Sequence, residues 1–257
     1  MGPAMPEIPT YVIVGASGGI GTALCHQLAA RGPCRLVLVA RDEARVGQLA
    51  AALQTEHRTP PAVACHALDA LNPQELAAAF DAAVTEFGPL TGAVNLCGSI
   101  LLKPAHSTTD REFADTLAAN LVTAFNVLRA AARAMPGGGS VVLVSSAAAR
   151  IGIANHEAIA AAKAGVTGLT LSAAATYASR GLRVNAVAPG LVRTPLAEKI
   201  TGSEPALKAS TAMHPLGRIG EPNDVAGAIA WLLDPATTWV TGQVIGIDGG
   251  LASVRGR

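Results

Sequence analysis

The stretch Tyr11-Val12-Ile13-Val14-Gly15-Ala16-Ser17-Gly18-Gly19-Ile20-Gly21 decides the fold. Residues 11–14 form a short apolar, β-branched run that breaks at a glycine cluster, and residues 20–31 resume with helical spacing. The order is strand, turn, helix. Gly15, Gly19 and Gly21 stand where backbone must turn tightly and approach a phosphate group at a helix N-terminus. Glycine also collects in turns for steric reasons alone, so its position directly after a first strand gives the cluster its weight.

The pattern repeats outward from this turn. Residues 35–40 are a second apolar run, followed by residues 43–54, in which Val46, Leu49, Ala50 and Leu53 recur at helical intervals. Residues 62–68, 92–96, 140–145, 182–188 and 244–247 are further strand candidates, each separated from the next by a helical stretch. Crossovers of this length imply a parallel sheet. The expected architecture is an α/β, Rossmann-type, doubly wound sheet of seven parallel strands with helices on both faces. Gly137, Gly138 and Gly139 read as a turn ending the preceding helix rather than a linker. The chain is therefore expected to be one domain over 1–257, with 1–9 a flexible extension. In such sheets ligands bind beyond the carboxyl ends of the strands, where strand order reverses.

Half of the 257 residues are hydrophobic and only 14% are charged, the reverse of a disordered chain. The 19 basic and 18 acidic residues are scattered, so nothing suggests a nucleic-acid partner. A small molecule is the expected partner. Cys25, Cys34, Cys65 and Cys97 form no metal-ligand spacing and read as free thiols. No signal-like N-terminus stands out, and no uninterrupted apolar stretch approaches the roughly 18 residues of a membrane span. A cytoplasmic protein without membrane attachment is the expectation.

The spacing of Gly15, Gly19 and Gly21 resembles the glycine turn of the short-chain dehydrogenase/reductase family, and further matches follow in order along nearly the whole chain. Asp69 is similar to the family's adenine contact. Asn95-Leu96-Cys97-Gly98 stands where the family usually has Asn-Asn-Ala-Gly, departing at its second and third positions. Asn120 corresponds to the structural and proton-relay asparagine, Ser146 to the active-site serine and Lys163 to the active-site lysine. Pro189-Gly190-Leu191-Val192-Arg193-Thr194 resembles the loop that closes over the nicotinamide amide. Thr241-Gly242-Gln243 with Asp248-Gly249-Gly250 resembles the C-terminal strand signature. The resemblance implies a cofactor site of Gly15, Ser17, Gly19, Ile20, Gly21, Asp69, Asn95, Gly98, Lys163, Pro189, Gly190, Val192 and Thr194. Taken singly, each also has a local reading: Asp69 as a helix cap, Asn120 as a satisfied buried amide, Ser146 as a strand-end hydroxyl, Pro189-Gly190 as an ordinary turn.

One departure bears on chemistry. The family's tyrosine precedes the lysine by four residues, and that position is Ile159. In ordinary members the tyrosine hydroxyl protonates the developing alkoxide, and the lysine one helical turn on lowers its pKa. Isoleucine does neither. Tyr11 and Tyr177, the only tyrosines, are not replacements by position. His156 is the nearest group able to donate a proton near neutral pH, and its bland reading is a loop histidine. Lys163 acting through water is another candidate.

The second strand ends Val39-Ala40-Arg41, with no acidic residue at Ala40 to hold a free ribose 2′-hydroxyl and with a guanidinium suited to a 2′-phosphate. NADP(H) is the expected cofactor, with NAD(H) as the alternative. The small residues Ala164, Gly165, Gly168 and Ala173 to Ala175 suggest an intersubunit face, and the resemblance implies a homotetramer. Residues 197–215 resemble a substrate lid. The expected function is hydride transfer between nicotinamide and a carbonyl or secondary alcohol, with Ser146, Lys163, Asn120 and His156 as catalytic residues. The rival is a cofactor-binding protein without turnover, acting as a sensor or as a subunit of a mixed oligomer.

Overall fold

Strand residues alternate between two cores. Val12 and Val14 pack on one side of the sheet with Phe80, Val127 and Val166, while Tyr11 and Ile13 pack on the other with Leu24, Leu28 and Ile229. A period of two points successive side chains to opposite faces, and a sheet covered on both faces makes both sets apolar. The structure is a computed structural model and describes residues 8–255. Most of the expected N-terminal extension lies outside the described residues.

The strands are β1 (Thr10–Val14), β2 (Arg35–Ala40), β3 (Ala62–Ala67), β4 (Gly92–Asn95), β5 (Gly139–Val144), β6 (Leu182–Pro189) and β7 (Val244–Ile247). The helices are α1 (Gly19–Arg31), α2 (Glu43–Glu56), α3 (Pro73–Phe87), α4 (Asp110–Leu117), α5 (Thr123–Ala134), α6 (Glu157–Tyr177), α7 (Glu198–Thr201), α8 (Glu204–Met213) and α9 (Pro222–Leu233). All seven strands are parallel, in the order β3-β2-β1-β4-β5-β6-β7. The chain runs outward from β1 to β3 and then returns to β4 on the other side of β1. That reversal is the switch point, and the loops after β1 and β4 meet there.

The sequence boundaries differ from the observed ones by one or two residues, as helix ends and strand ends do. Three differences matter more. Asn120 lies not in a regular helix but in a π-helical segment, Ala118–Val122, between α4 and α5. Gly165 faces inward, since a Cβ there would lie 2.8 Å from Leu121 Cδ2. The expectation that no segment suits a membrane also needs correcting. Glu157–Arg180 passes that test by length and composition. Ala162, Val166, Thr170 and Ala173 on this helix are nevertheless buried inside the described fold, and a core helix is apolar for the same reason a spanning one is.

Candidate functional site

At Gly15, Gly19 and Gly21 the turn after β1 has no room for a side chain. Gly15 has φ +87°, and a Cβ on it would lie 2.9 Å from the Leu96 carbonyl carbon. A Cβ on Gly21 would collide with the carbonyl oxygen of Gly15, and one on Gly19 would lie 3.0 Å from Thr194 Cγ2. The glycine turn thus touches the loop after β4 on one side and the loop after β6 on the other. Gly18, at the start of α1, supplies no side-chain cap, so the first amides of α1 are left for an anionic ligand.

From this turn a cleft runs along the carboxyl edge of the sheet. Ser17 and Gly19 line it at one point, Asp69, Cys97 and Gly98 at another, and Ala40 and Arg41 beyond the end of β2. Arg45 is a further lining residue that the sequence reading missed. Its Nη2 donates to the Ser17 carbonyl at 2.6 Å, which draws the guanidinium over the glycine turn. Its place in the first turn of α2, directly after Arg41 and the capping Asp42, was the available signal. Asp69 accepts from the Leu71 amide at 2.9 Å, so one carboxylate oxygen organises its own turn while the residue lines the cleft. Asn95 is buried, donates to Thr123 Oγ1 at 3.2 Å and accepts from the Cys97 amide at 3.4 Å. It shapes the loop from beneath.

The residues of this cleft suit a dinucleotide. The glycine turn is a cradle that a Cβ would fill, the amides at the start of α1 suit a pyrophosphate, and Arg41 and Arg45 stand at the end where an adenosine ribose falls in such folds.

Asn120 and Lys163 flank the other end. A Cβ on Gly98 would lie 2.9 Å from Asn120 Oδ1 and 3.7 Å from Lys163 Nζ. Asn120 Nδ2 donates to Thr116 O at 2.9 Å and Ser99 Oγ at 3.0 Å, while its Oδ1 accepts from the Ser99 amide at 3.2 Å. Lys163 Nζ donates to the Val144 carbonyl at 2.8 Å. Burial pushes the Lys163 ammonium down to about 8, with the neighbouring Cys97 opposing slightly. Burial pushes the Cys97 thiol up to about 11, so it is not a thiolate at neutral pH. Ser145 Oγ donates to the Lys163 carbonyl at 2.9 Å, which ties the end of β5 to α6. Ser146 accepts from the Ala148 amide at 3.1 Å and opens a short turn.

Ser146 also lines a second cavity with His156, Ile159, Pro189 and Gly190. Ile159 is buried and presents its aliphatic surface there. His156 precedes α6, and its Nδ1 lies 2.8 Å from the Ala154 carbonyl. A carbonyl accepts only, so Nδ1 carries the hydrogen and Nε2 keeps its lone pair in the neutral ring. Val192 pairs with Gly220, which anchors the loop after β6, and Thr194 at its end meets the glycine turn. The lid helix α8 is fastened to the same loop by His214, a residue the sequence reading passed over. Its Nδ1 donates to the Ser210 carbonyl at 2.7 Å, and its Nε2 accepts from the Leu191 amide at 3.2 Å. The absence of a Cβ on Gly190 leaves room for this imidazole.

A doubly wound parallel sheet with a glycine turn at its switch point defines a Rossmann-type protein. A family model described as Enoyl-(Acyl carrier protein) reductase matches residues 15–252. The cis-4-hydroxycyclohexanecarboxylate dehydrogenase of Sinomonas cyclohexanicum is 36% identical over 257 residues, covering 99% of this chain and 100% of the relative. A solved short-chain type dehydrogenase/reductase from Mycobacterium ulcerans superimposes with a TM-score of 0.91 at 33% identity, covering 98% of this chain and 92% of that one. ElxO, solved with NADP bound, gives a TM-score of 0.87 at 25% identity, covering 96% and 100%. The chain belongs to the short-chain dehydrogenase/reductase family, a family of oxidoreductases.

Proposed function

We propose that this chain is an NADP(H)-dependent oxidoreductase of a carbonyl or secondary alcohol that moves its proton without a tyrosine. The observation that carries the reading is a glycine-walled cleft with Asn120 and Lys163 beside its Gly98, together with a separate cavity lined by Ser146. NADPH in the cleft supplies the hydride. Ser146 Oγ–H donates to the substrate oxygen and polarises it, and Lys163 holds the nicotinamide ribose. Pro189, Gly190, Val192 and Thr194 close over the carboxamide. His156 Nε2 takes the hydroxyl proton in the oxidative direction and returns it, from the protonated ring, in the reductive one. Arg41 and Arg45 support NADPH over NADH, because two guanidiniums suit a dianionic 2′-phosphate.

Two patches support a homotetramer. Val122 on the π-helical segment, Phe125 on α5 and Leu171 on α6 are exposed, as are Ala164 and Gly168 on α6. Trp239 is 98% exposed near the edge strand β7. Monomers rarely leave such surface uncovered.

Ile159 favours a second reading, a nucleotide-binding protein without turnover. His156→Ala separates the two. The oxidoreductase reading expects NADPH consumption with a ketone to fall by about two to four powers of ten in the variant, with NADPH affinity by calorimetry nearly unchanged. No consumption by the parent across a broad ketone panel supports the second reading instead.

A further inference from the structure

The cavity beside Ser146 has an uneven chemistry. Beyond the reaction centre its walls are Ile100, Leu102, Ile153, Met213 and Leu251, and no Asp, Glu, Lys or Arg lines it. Four polar side chains do: Ser146, His156, Ser210 and His214. Ser146 and His156 belong to the reaction centre, and both ring nitrogens of His214 are spent on Ser210 and Leu191. One hydroxyl, that of Ser210, is left for the rest of a ligand. The basic residue beside this rim, Lys103, is held by Glu112 at 2.8 Å. Arg150 lies against Gly246 of β7, where its Nη1 takes the place a Cβ would need.

We propose that this cavity takes a neutral ketone or secondary alcohol with one polar end at Ser146 and an apolar, uncharged body, and that it rejects carboxylate-bearing and polyhydroxy substrates. The proposal rests on the oxidoreductase reading above. Small-molecule sites are mostly apolar with a few placed polar groups, and the lining of this cavity follows that pattern. Away from His156 at the reaction centre, a carboxylate carried on the body of the ligand meets no cationic side chain in this cavity, and unpaired buried charge is costly. A polyol loses water from hydroxyls that find a single partner at Ser210. An apolar body gains from leaving water. In the reductive direction the carbonyl carbon gains a hydride from NADPH, which is oxidised to NADP+. The C=O π pair moves to oxygen, and oxygen takes one proton.

Three ketones test this: 4-tert-butylcyclohexanone as the neutral probe, 4-oxocyclohexanecarboxylate as the anion on the same ring, and 1,3-dihydroxyacetone as the polar probe. Binding is read by calorimetry on the full chain loaded with NADP+, which cannot reduce them, and turnover by NADPH consumption. The neutral ketone is expected to bind and to be reduced with kcat/KM at least about a hundredfold above the carboxylate. Binding of the neutral ketone without NADPH consumption upholds the ligand class and overturns the oxidoreductase reading. Preference for the carboxylate or the dihydroxyketone in either readout overturns the ligand class and leaves that reading standing. Failure of all three to bind the NADP+-loaded protein also overturns the ligand class. Leu102→Lys places an ammonium on the half-open rim, and carboxylate affinity is expected to rise about tenfold. An unchanged affinity there contradicts the placement of the ligand body in this cavity.

Discussion

Arg41 and Arg45 line the same cleft but come from different parts of the chain's logic. Arg41 was legible, because it follows β2 where cofactor choice is made in such folds. Arg45 was not, because its side chain reaches back across the turn to the Ser17 carbonyl, and sequence spacing does not give that direction. Asp42 between them caps α2 through the Arg45 amide at 3.0 Å, so its carboxylate is partly occupied. Arg41→Ala and Arg45→Ala are each expected to weaken NADPH binding about tenfold or more and to leave NADH binding nearly unchanged, since a charge-assisted hydrogen bond is worth about 1.5–3 kcal/mol. Calorimetric titration with both cofactors checks this. Equal losses for the two cofactors contradict the assignment. His214 went unread for a related reason. A histidine before Pro215 gives no signal by itself, and its role exists only because α8 folds back onto Leu191.

At the scale of elements, the site depends on how β5 meets α6. Lys163 Nζ on the Val144 carbonyl and Ser145 Oγ on the Lys163 carbonyl join the two. The price is a buried ammonium. Its folded-state value, about 8, lies below its ordinary 10.5. Below about 8 both folded and unfolded chains hold this proton, and the burial cost is fully present. Between about 8 and 10.5 the unfolded chain holds the proton and the folded chain does not, so stability rises with pH across that window. Denaturant titrations of the parent and Lys163→Met are expected to converge as pH rises from 7 toward about 10, with the variant flatter. Parallel pH dependence in the two proteins contradicts this account. The strands and long helices were legible because their periods repeat over many residues. The π-helical segment around Asn120 was not, because it adds one residue to a turn without changing the apolar pattern.

At the scale of the molecule, the alternation of strands and helices gave the seven-stranded parallel sheet, and the handedness of crossovers left few orders to consider. The role of the small residues of α6 was only half legible. Gly165, Ala173 and Ala174 serve packing within the chain, whereas Ala164, Gly168 and Leu171 face outward. Helical spacing separates two faces but does not say which one a neighbour covers. Light scattering is expected to show a tetramer, and Leu171→Glu to reduce it to a smaller species with the fold intact. A monomeric parent at micromolar concentration contradicts the proposed interface.

The central claim is that Ile159 marks a changed proton route in a working oxidoreductase, and Ile159→Tyr tests it most directly. Ile159 and Ser146 line the same cavity, so a phenol at 159 borders the space where Ser146 stands. The decisive measurement is NADPH consumption by the parent and by Ile159→Tyr over a panel of neutral ketones, with NADPH binding checked on both. The account predicts measurable consumption by the parent and a faster rate in the variant, because general acid catalysis from tyrosine adds about two to four powers of ten where it operates. A well-folded Ile159→Tyr protein that binds NADPH and, like the parent, consumes none with any ketone contradicts it.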